Sequence, residues 1–360
     1  MTRATRLIVP ALALGLAATS LEAQQVGAEL AYYGVSIGDA SLTEIVFPVG
    51  VTYRLSNIRF DANTAIASAS FEANGETSTL SGLTDINARV MLPINADRAR
   101  IVVAANLPTG TSALAPAELP VAAALTTDLL TMPVTSFGSG AGVTTGLAVT
   151  RSAGSWLLGA VGAYRVGSAY EPLVSTAAGQ SAEFRPGDEL RIRLAAQRPS
   201  DAGVSVRVAG TWSTFSSDQS DDVAFFDRGD RFLGEAAVEF PVWRGAALAY
   251  LWDLYRSEGS VASGFQASQI AAASNMLGAG VRGVLPLSPT LTLRPILELV
   301  LQSSPADVGP GEGSLFRFGT GVQRRVGGFI LEPAVLAQFG SLDGESISGF
   351  ILRGGVAWAR

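Results

Sequence analysis

Residues 189–197 read Glu-Leu-Arg-Ile-Arg-Leu-Ala-Ala-Gln, and their rhythm constrains the fold more than any other feature of the chain. Leu190, Ile192, Leu194 and Ala196 alternate with Glu189, Arg191, Arg193 and Gln197. A β-strand sends successive side chains to opposite faces. One face of this segment is therefore oily and the other charged. The same alternation returns at 204–212, 291–302, 316–323 and 331–339. A closed barrel in a bilayer needs that arrangement, apolar outside and polar inside.

Strand-length segments recur down the chain, near the roughly 9–11 residues a tilted transmembrane strand requires. Short connections at 152–154, 199–202, 243–245, 288–290 and 326–328 alternate with long ones at 108–141, 167–188, 214–230, 256–275 and 303–314. Outer-membrane barrels have short turns on the periplasmic side and long loops outside. The pattern predicts an all-β chain forming a transmembrane antiparallel β-barrel of the Gram-negative outer-membrane type. The strand count is 14–16, with 16 the best fit. The first candidate, 27–36, alternates poorly. The hairpin 24–42 therefore reads either as the first strand or as a plug in the lumen. Leu352, Val356 and Trp358 share one face of a final strand.

Arg3 and Arg6 precede an apolar run at 7–18. That run is shorter than the ~20 residues of a spanning helix and suits a signal peptide, 1–23, cut near Ala23. The barrel then occupies 24–360.

The missing residue types exclude much chemistry. The chain has no histidine and no cysteine, and all 25 basic residues are arginine. No Ser-His-Asp or Cys-His site can form, and no His or Cys can hold a transition metal. Neither a catalytic role, a metal nor a cofactor is expected. The formal net charge of −6 argues against nucleic-acid binding.

Alternation places Arg89, Arg191, Arg193, Arg207, Arg282, Arg294, Glu298, Arg317 and Glu332 on the inward face, with Glu44, Arg54 and Arg100. An arginine facing lipid at the midplane would cost about 2–4 kcal/mol. These residues either line a selective passage or form an Arg–Glu ladder that stiffens the barrel. Pro48, Pro295 and Pro333 fall inside alternating strands, where a proline marks a bulge or a local opening. Tyr53, Trp156, Tyr164, Trp212, Trp243, Tyr250, Trp252, Tyr255 and Trp358 are expected at headgroup depth.

The connection 108–141 is unusually apolar. Val121, Leu125 and Leu129 recur at helical spacing after Pro120. Exposed outside, they would catch a greasy ligand or touch lipid; alternatively a short helix folds onto the barrel mouth. The acidic connection 214–230 reads as a solvated loop or a divalent-cation site.

Several short motifs resemble one family. Ser81-Gly-Leu-Thr-Asp-Ile-Asn-Ala-Arg89 is similar to the strand entry of outer-membrane transporters of the meta-pathway phenol degradation type, relatives of the long-chain fatty-acid transporters. Leu107-Pro-Thr-Gly110 resembles the strand exit of that family. Phe137-Gly-Ser-Gly140 and Pro186-Gly-Asp188 resemble later loop elements. The resemblance spans about 80–200 and implies a monomeric barrel moving hydrophobic compounds. The expected role is passive uptake of small hydrophobic or aromatic molecules. A structural or adhesive barrel with a sealed lumen is the alternative. Expected partners are outer-membrane lipid, a small hydrophobic ligand and the barrel-assembly machinery.

Overall fold

The computed structural model describes residues 24–95, 98–174, 182–199, 203–261, 272–304 and 311–359. The predicted signal segment lies outside these residues, as does most of the predicted turn at 199–202.

Sixteen strands run antiparallel, each beside its neighbour in sequence. They are β1 (Gln24–Ile37), β2 (Ala40–Leu55), β3 (Ile58–Ala73), β4 in two pieces (Glu76–Leu83 and Ile86–Ile94), β5 (Ala99–Leu107) and β6 (Gly142–Ala153). Next come β7 (Trp156–Gly167), β8 (Glu189–Arg198), β9 (Ser205–Phe215), β10 (Arg231–Val242) and β11 (Gly245–Arg256). The last are β12 (Ser274–Ser288), β13 (Leu291–Ser303), β14 (Gly313–Val326), β15 (Phe329–Leu342) and β16 (Glu345–Ala359). β1 pairs with both β2 and β16, the latter from Gln25↔Ala359 to Ile37↔Ile347. That seam closes the cylinder and leaves no free edge. The hairpin 24–42 is thus wall, not plug.

The alternation sorts the two faces. Leu194 is 61% exposed, and Leu30, Ile66, Val335 and Leu352 stand out on the same outer surface. Such a belt would be a liability in water but suits hydrocarbon. Arg317 and Gln338, neighbours in register on β14 and β15, are buried inside. Outward aromatics gather at both ends. Tyr53 packs on Phe60 near the short-turn end, and Phe232 on Tyr255 near the other. Tyr164 and Trp212 donate to Asp188 and Asp230 at 2.8 and 3.0 Å, fixing their polar ends at the rim. Tyr250 and Trp252 do not join these girdles. They face the lumen, in register with Ala237 and Glu235.

Three of the long-loop-side connections are tight turns rather than loops. Asn74-Gly75 and Asp343-Gly344 carry positive φ at both residues, the two-residue hairpin geometry that favours this sequence. The fourth strand accordingly begins at Glu76, not at the predicted Leu83.

Each predicted proline site interrupts one ladder. The β1–β2 pairing skips the residues facing Pro48. The β12–β13 pairing breaks between Arg282↔Ile296 and Leu285↔Leu293, at Pro295. The β14–β15 pairing breaks between Gly321↔Ala334 and Arg324↔Leu331, at Pro333. Proline has no N–H to donate, so one flank of its strand loses a bond.

Outside the barrel, Phe184–Arg185, Asp218–Ser220, Val223–Asp227 and Ser260–Val261 form a small sheet over the rim. The acids of 214–230 serve it individually. Asp218 takes the Gly187 amide (2.7 Å) and Arg228 (2.8 Å), and Asp221 takes the Glu183 amide (2.8 Å).

Candidate functional site: a lumen narrowed by an inward-folded segment

The connection 108–141 turns into the barrel. Its two ends are clasped at Asp85, which sits in the break between the two pieces of β4. The Asp85 carboxylate accepts the Gly110 amide (3.0 Å), the Asn106 side-chain amide (2.8 Å) and the Ser139 amide (2.8 Å). A Cβ at Gly110 would collide with the Phe137 carbonyl, so only glycine lets the two ends cross. Three motifs that carried the family resemblance, 81–89, 107–110 and 137–140, therefore meet in one structural clasp. Their residues specify how the segment enters the lumen.

Inside, the segment forms a short helix (Leu119–Leu125) between two 3-10 turns (Pro116–Glu118 and Asp128–Leu130). Val121, Leu125 and Leu129 are 0% exposed. This corrects the expectation of an exposed external loop. The three side chains pack with Leu42, Val46, Ala67 and Leu80 on one side and with Met276, Val300 and Leu315 on the other. Those wall residues come from β2–β4 and from β12–β14, so the segment reaches across the lumen. The arrangement also explains the weak alternation of β1, whose Ala31 and Val35 are buried on the inner face while Leu30 faces out. Inner residues that meet an apolar segment are themselves apolar.

Polar contacts hold the segment at its margins. The Ser78 hydroxyl donates to the Ala117 carbonyl (2.6 Å), and Arg256 pairs with Asp128. Arg317 donates to the Leu130 carbonyl (2.8 Å), to Glu298 (3.2 Å) and to Gln338 (3.2 Å). One inner group is poorly served. Glu44 is fully buried against the segment beside the Val134 backbone, and neither carboxyl oxygen completes a hydrogen bond. A buried unsatisfied group costs about 1–3 kcal/mol. Glu44→Leu is therefore expected to stabilise the barrel by a similar amount, read as a higher temperature for the heat-induced shift on unboiled gels. A lower temperature would show that Glu44 has a partner in the membrane.

The predicted inward residues sit as follows. Arg89 binds Asp61 (2.9 Å), Arg191 binds Glu189 (2.6 Å), Arg193 binds Glu235, and Arg294 binds Glu332 (2.9 Å). Glu298 gathers Arg317 and the Tyr250 hydroxyl (2.8 Å), with Arg282 farther off at 3.9 Å. Arg207 is exposed to the lumen. Sequence reasoning did not single out Asp85, Arg165 or the Glu29–Arg353 pair, and it placed Tyr250 at headgroup depth rather than in the lumen. Asp85 stood inside a quoted motif, and Arg165 continues the alternation of β7.

Space remains beside the segment. A cavity of about 330 Å³ lies between the clasp and the wall of β5–β8, lined by Asp85, Asn106, Thr144, Arg165 and Arg191. Ala104, Gly142 and Ala163 keep that wall thin. A second cavity of about 250 Å³ includes Arg207, Tyr250 and Arg282. A third, about 540 Å³, opens near the short-turn end among Glu29, Arg294, Glu332 and Arg353.

With this architecture in place, known structures can be compared. CdiB from Acinetobacter baumannii is similar with a TM-score of 0.53 at 8% identity, covering 93% of this chain and 60% of that one. An outer membrane channel from Pseudomonas putida F1 is similar at 12% identity, covering 95% of this chain and 97% of that one, with a TM-score of 0.41. OccK5 (OpdH) from Pseudomonas aeruginosa is similar at 9% identity, covering 94% and 98%, with a TM-score of 0.49. No family model matches the chain, and no curated protein matches it. The fold and its apolar belt define the class: a closed sixteen-stranded β-barrel of the bacterial outer membrane.

Proposed function

We propose that this barrel is a passive channel through which small molecules cross the outer membrane, driven by their own gradients and without a chemical step. The observation that carries the reading is the cavity between the Asp85 clasp and Arg165–Arg191. It lies beside the segment that packs against the β2–β4 and β12–β14 walls. Further cavities follow toward the other end. Outer-membrane lipid supports the belt, and insertion falls to the barrel-assembly machinery.

The family resemblance favours small hydrophobic or aromatic cargo. The apolar side chains of the segment are committed to wall packing, so such cargo would find its contacts on Tyr250, Trp252 and Leu248. Planar-bilayer recording is the test. A channel passes a steady ion current and swells liposomes in small permeants. A structural or adhesive barrel passes neither, and silence in both assays would contradict the proposal.

A further inference from the structure

The middle cavity has a chemistry of its own. It is bounded by Arg207 on β9, Glu235 and Ala237 on β10, Leu248 and Tyr250 on β11, and Arg282 on β12. Register fixes their order. Arg207 stands opposite Ala237, and Ala237 stands opposite Tyr250. Adjacent strands are ~4.8 Å apart, so a slot of roughly 10 Å separates the backbone bearing Arg207 from that bearing Tyr250. The small Ala237 forms its floor.

Two of the acids at this level are already claimed. Glu235 is paired with Arg193, and Glu298 with Arg317 and the Tyr250 hydroxyl. Arg282 lies over the Tyr250 ring at 5.0 Å and only 3.9 Å from Glu298, with its side chain 55% exposed. Arg207 makes no hydrogen bond or ion pair among the described residues. Four arginines, Arg193, Arg207, Arg282 and Arg317, thus stand in and around the cavity with three carboxylates, Glu235, Glu298 and Glu239, the last in register with Leu248 next to Arg282. The excess positive charge falls on Arg207, at one side of an apolar and aromatic floor, with Arg282 at the other side between Glu298 and Glu239.

We propose that this slot is a binding subsite for small organic carboxylates of benzoate size. The carboxylate accepts hydrogen bonds from the Arg207 fork, and the flat body lies over Ala237 against Leu248 and Tyr250. Arginine presents a planar pair of donors that matches a carboxylate, and a partly desolvated pair of this kind is stronger than one in bulk water. Higher in the lumen, Arg165 and Arg191 line the cavity beside the clasp and would draw an anion toward the slot. This reading rests on the channel proposed above and specifies what the channel prefers.

The experiment measures reversal potentials across a bilayer holding the full-length barrel, with sodium benzoate on one side and benzylammonium chloride as the matched cation. The wild type is expected to favour benzoate over benzylammonium. Arg207→Gln should reduce that preference several-fold, and Arg207→Glu with Arg282→Glu should invert it. Benzoate should also interrupt a chloride current more strongly than benzyl alcohol does, and Arg207→Gln should abolish the difference. An open channel that passes benzoate and benzylammonium equally, or prefers the cation, overturns the subsite while leaving the channel intact. A barrel with no current at all overturns both. Should the charge-reversed variant fail to fold, the wild-type preference and the Arg207→Gln response still decide the question.

Discussion

Deleting residues 121–129 is expected to raise single-channel conductance several-fold. The deleted stretch supplies Val121, Leu125 and Leu129, which reach from the β2–β4 wall to the β12–β14 wall. Without them the lumen loses the body that narrows it. The barrel should still close, because its ladders are backbone bonds between neighbouring strands, and the β1–β16 seam pairs without any deleted residue, although Val35 and Ile347 lose apolar contacts there. Unboiled gels would confirm closure. The newly wetted Leu42, Val46 and Leu80 cost stability in proportion to their area, at about 25 cal/mol per Å². Conductance that stays at the wild-type level would show that the segment lies outside the route of permeation.

The second large effect comes from the outer surface. Leu194 points into hydrocarbon at the middle of β8, and arginine there carries a penalty of about 2–4 kcal/mol. Leu194→Arg should fold poorly into liposomes and lose most of its heat-modifiable band. Its neighbour gives the control. Arg193 faces the lumen, pairs with Glu235 and remains partly exposed, as Glu235 does. Exposed ion pairs contribute about 0–1 kcal/mol, so Arg193→Leu should assemble almost normally and alter only permeation. Equal yields from both variants, or the reverse order, would mean the two faces are exchanged.

Local alternation made the wall legible wherever the inner face meets water. β8, β9, β13 and β14 announce themselves by polar residues on the inner positions, among them Arg191 and Arg193, Arg207, Arg294 and Glu298, and Arg317, between apolar outer ones. It fails where both faces are apolar. In β1, Val35 with Tyr33 and Ile37 packs in the cluster of the folded-in segment, so little contrast remains to read. In β11, Leu248, Tyr250, Trp252 and Leu254 face in, while Ala249, Leu251 and Tyr255 face out. Rings alone could not reveal which side they served. The Asn74-Gly75 turn is a two-residue hairpin signature that the strand pattern alone passes over, because the Ser- and Thr-rich stretch after it lacks an apolar face.

The inward segment was the larger omission. Helical spacing found Val121, Leu125 and Leu129 but could not tell lumen from exterior, because burial there depends on walls far away in sequence. The clue was the clasp. Asp85, Gly110 and Phe137 occur in three separate motifs, and their convergence is a tertiary fact. Arg207 was legible as an inward arginine, whereas its lack of a carboxylate partner depends on Arg193 having taken Glu235 on the neighbouring strand.

Because the chain contains no cysteine, single thiols can be placed without background. The decisive measurement is the labelling of Leu190→Cys, Arg191→Cys, Ile192→Cys, Arg193→Cys and Leu194→Cys in liposomes with a charged, membrane-impermeant maleimide. Positions 191 and 193 should react, because water reaches them through the lumen, while 190, 192 and 194 stay protected by acyl chains. Reaction at all five positions, or at the even ones alone, would contradict a barrel that keeps hydrocarbon on one face of each strand and an aqueous interior on the other.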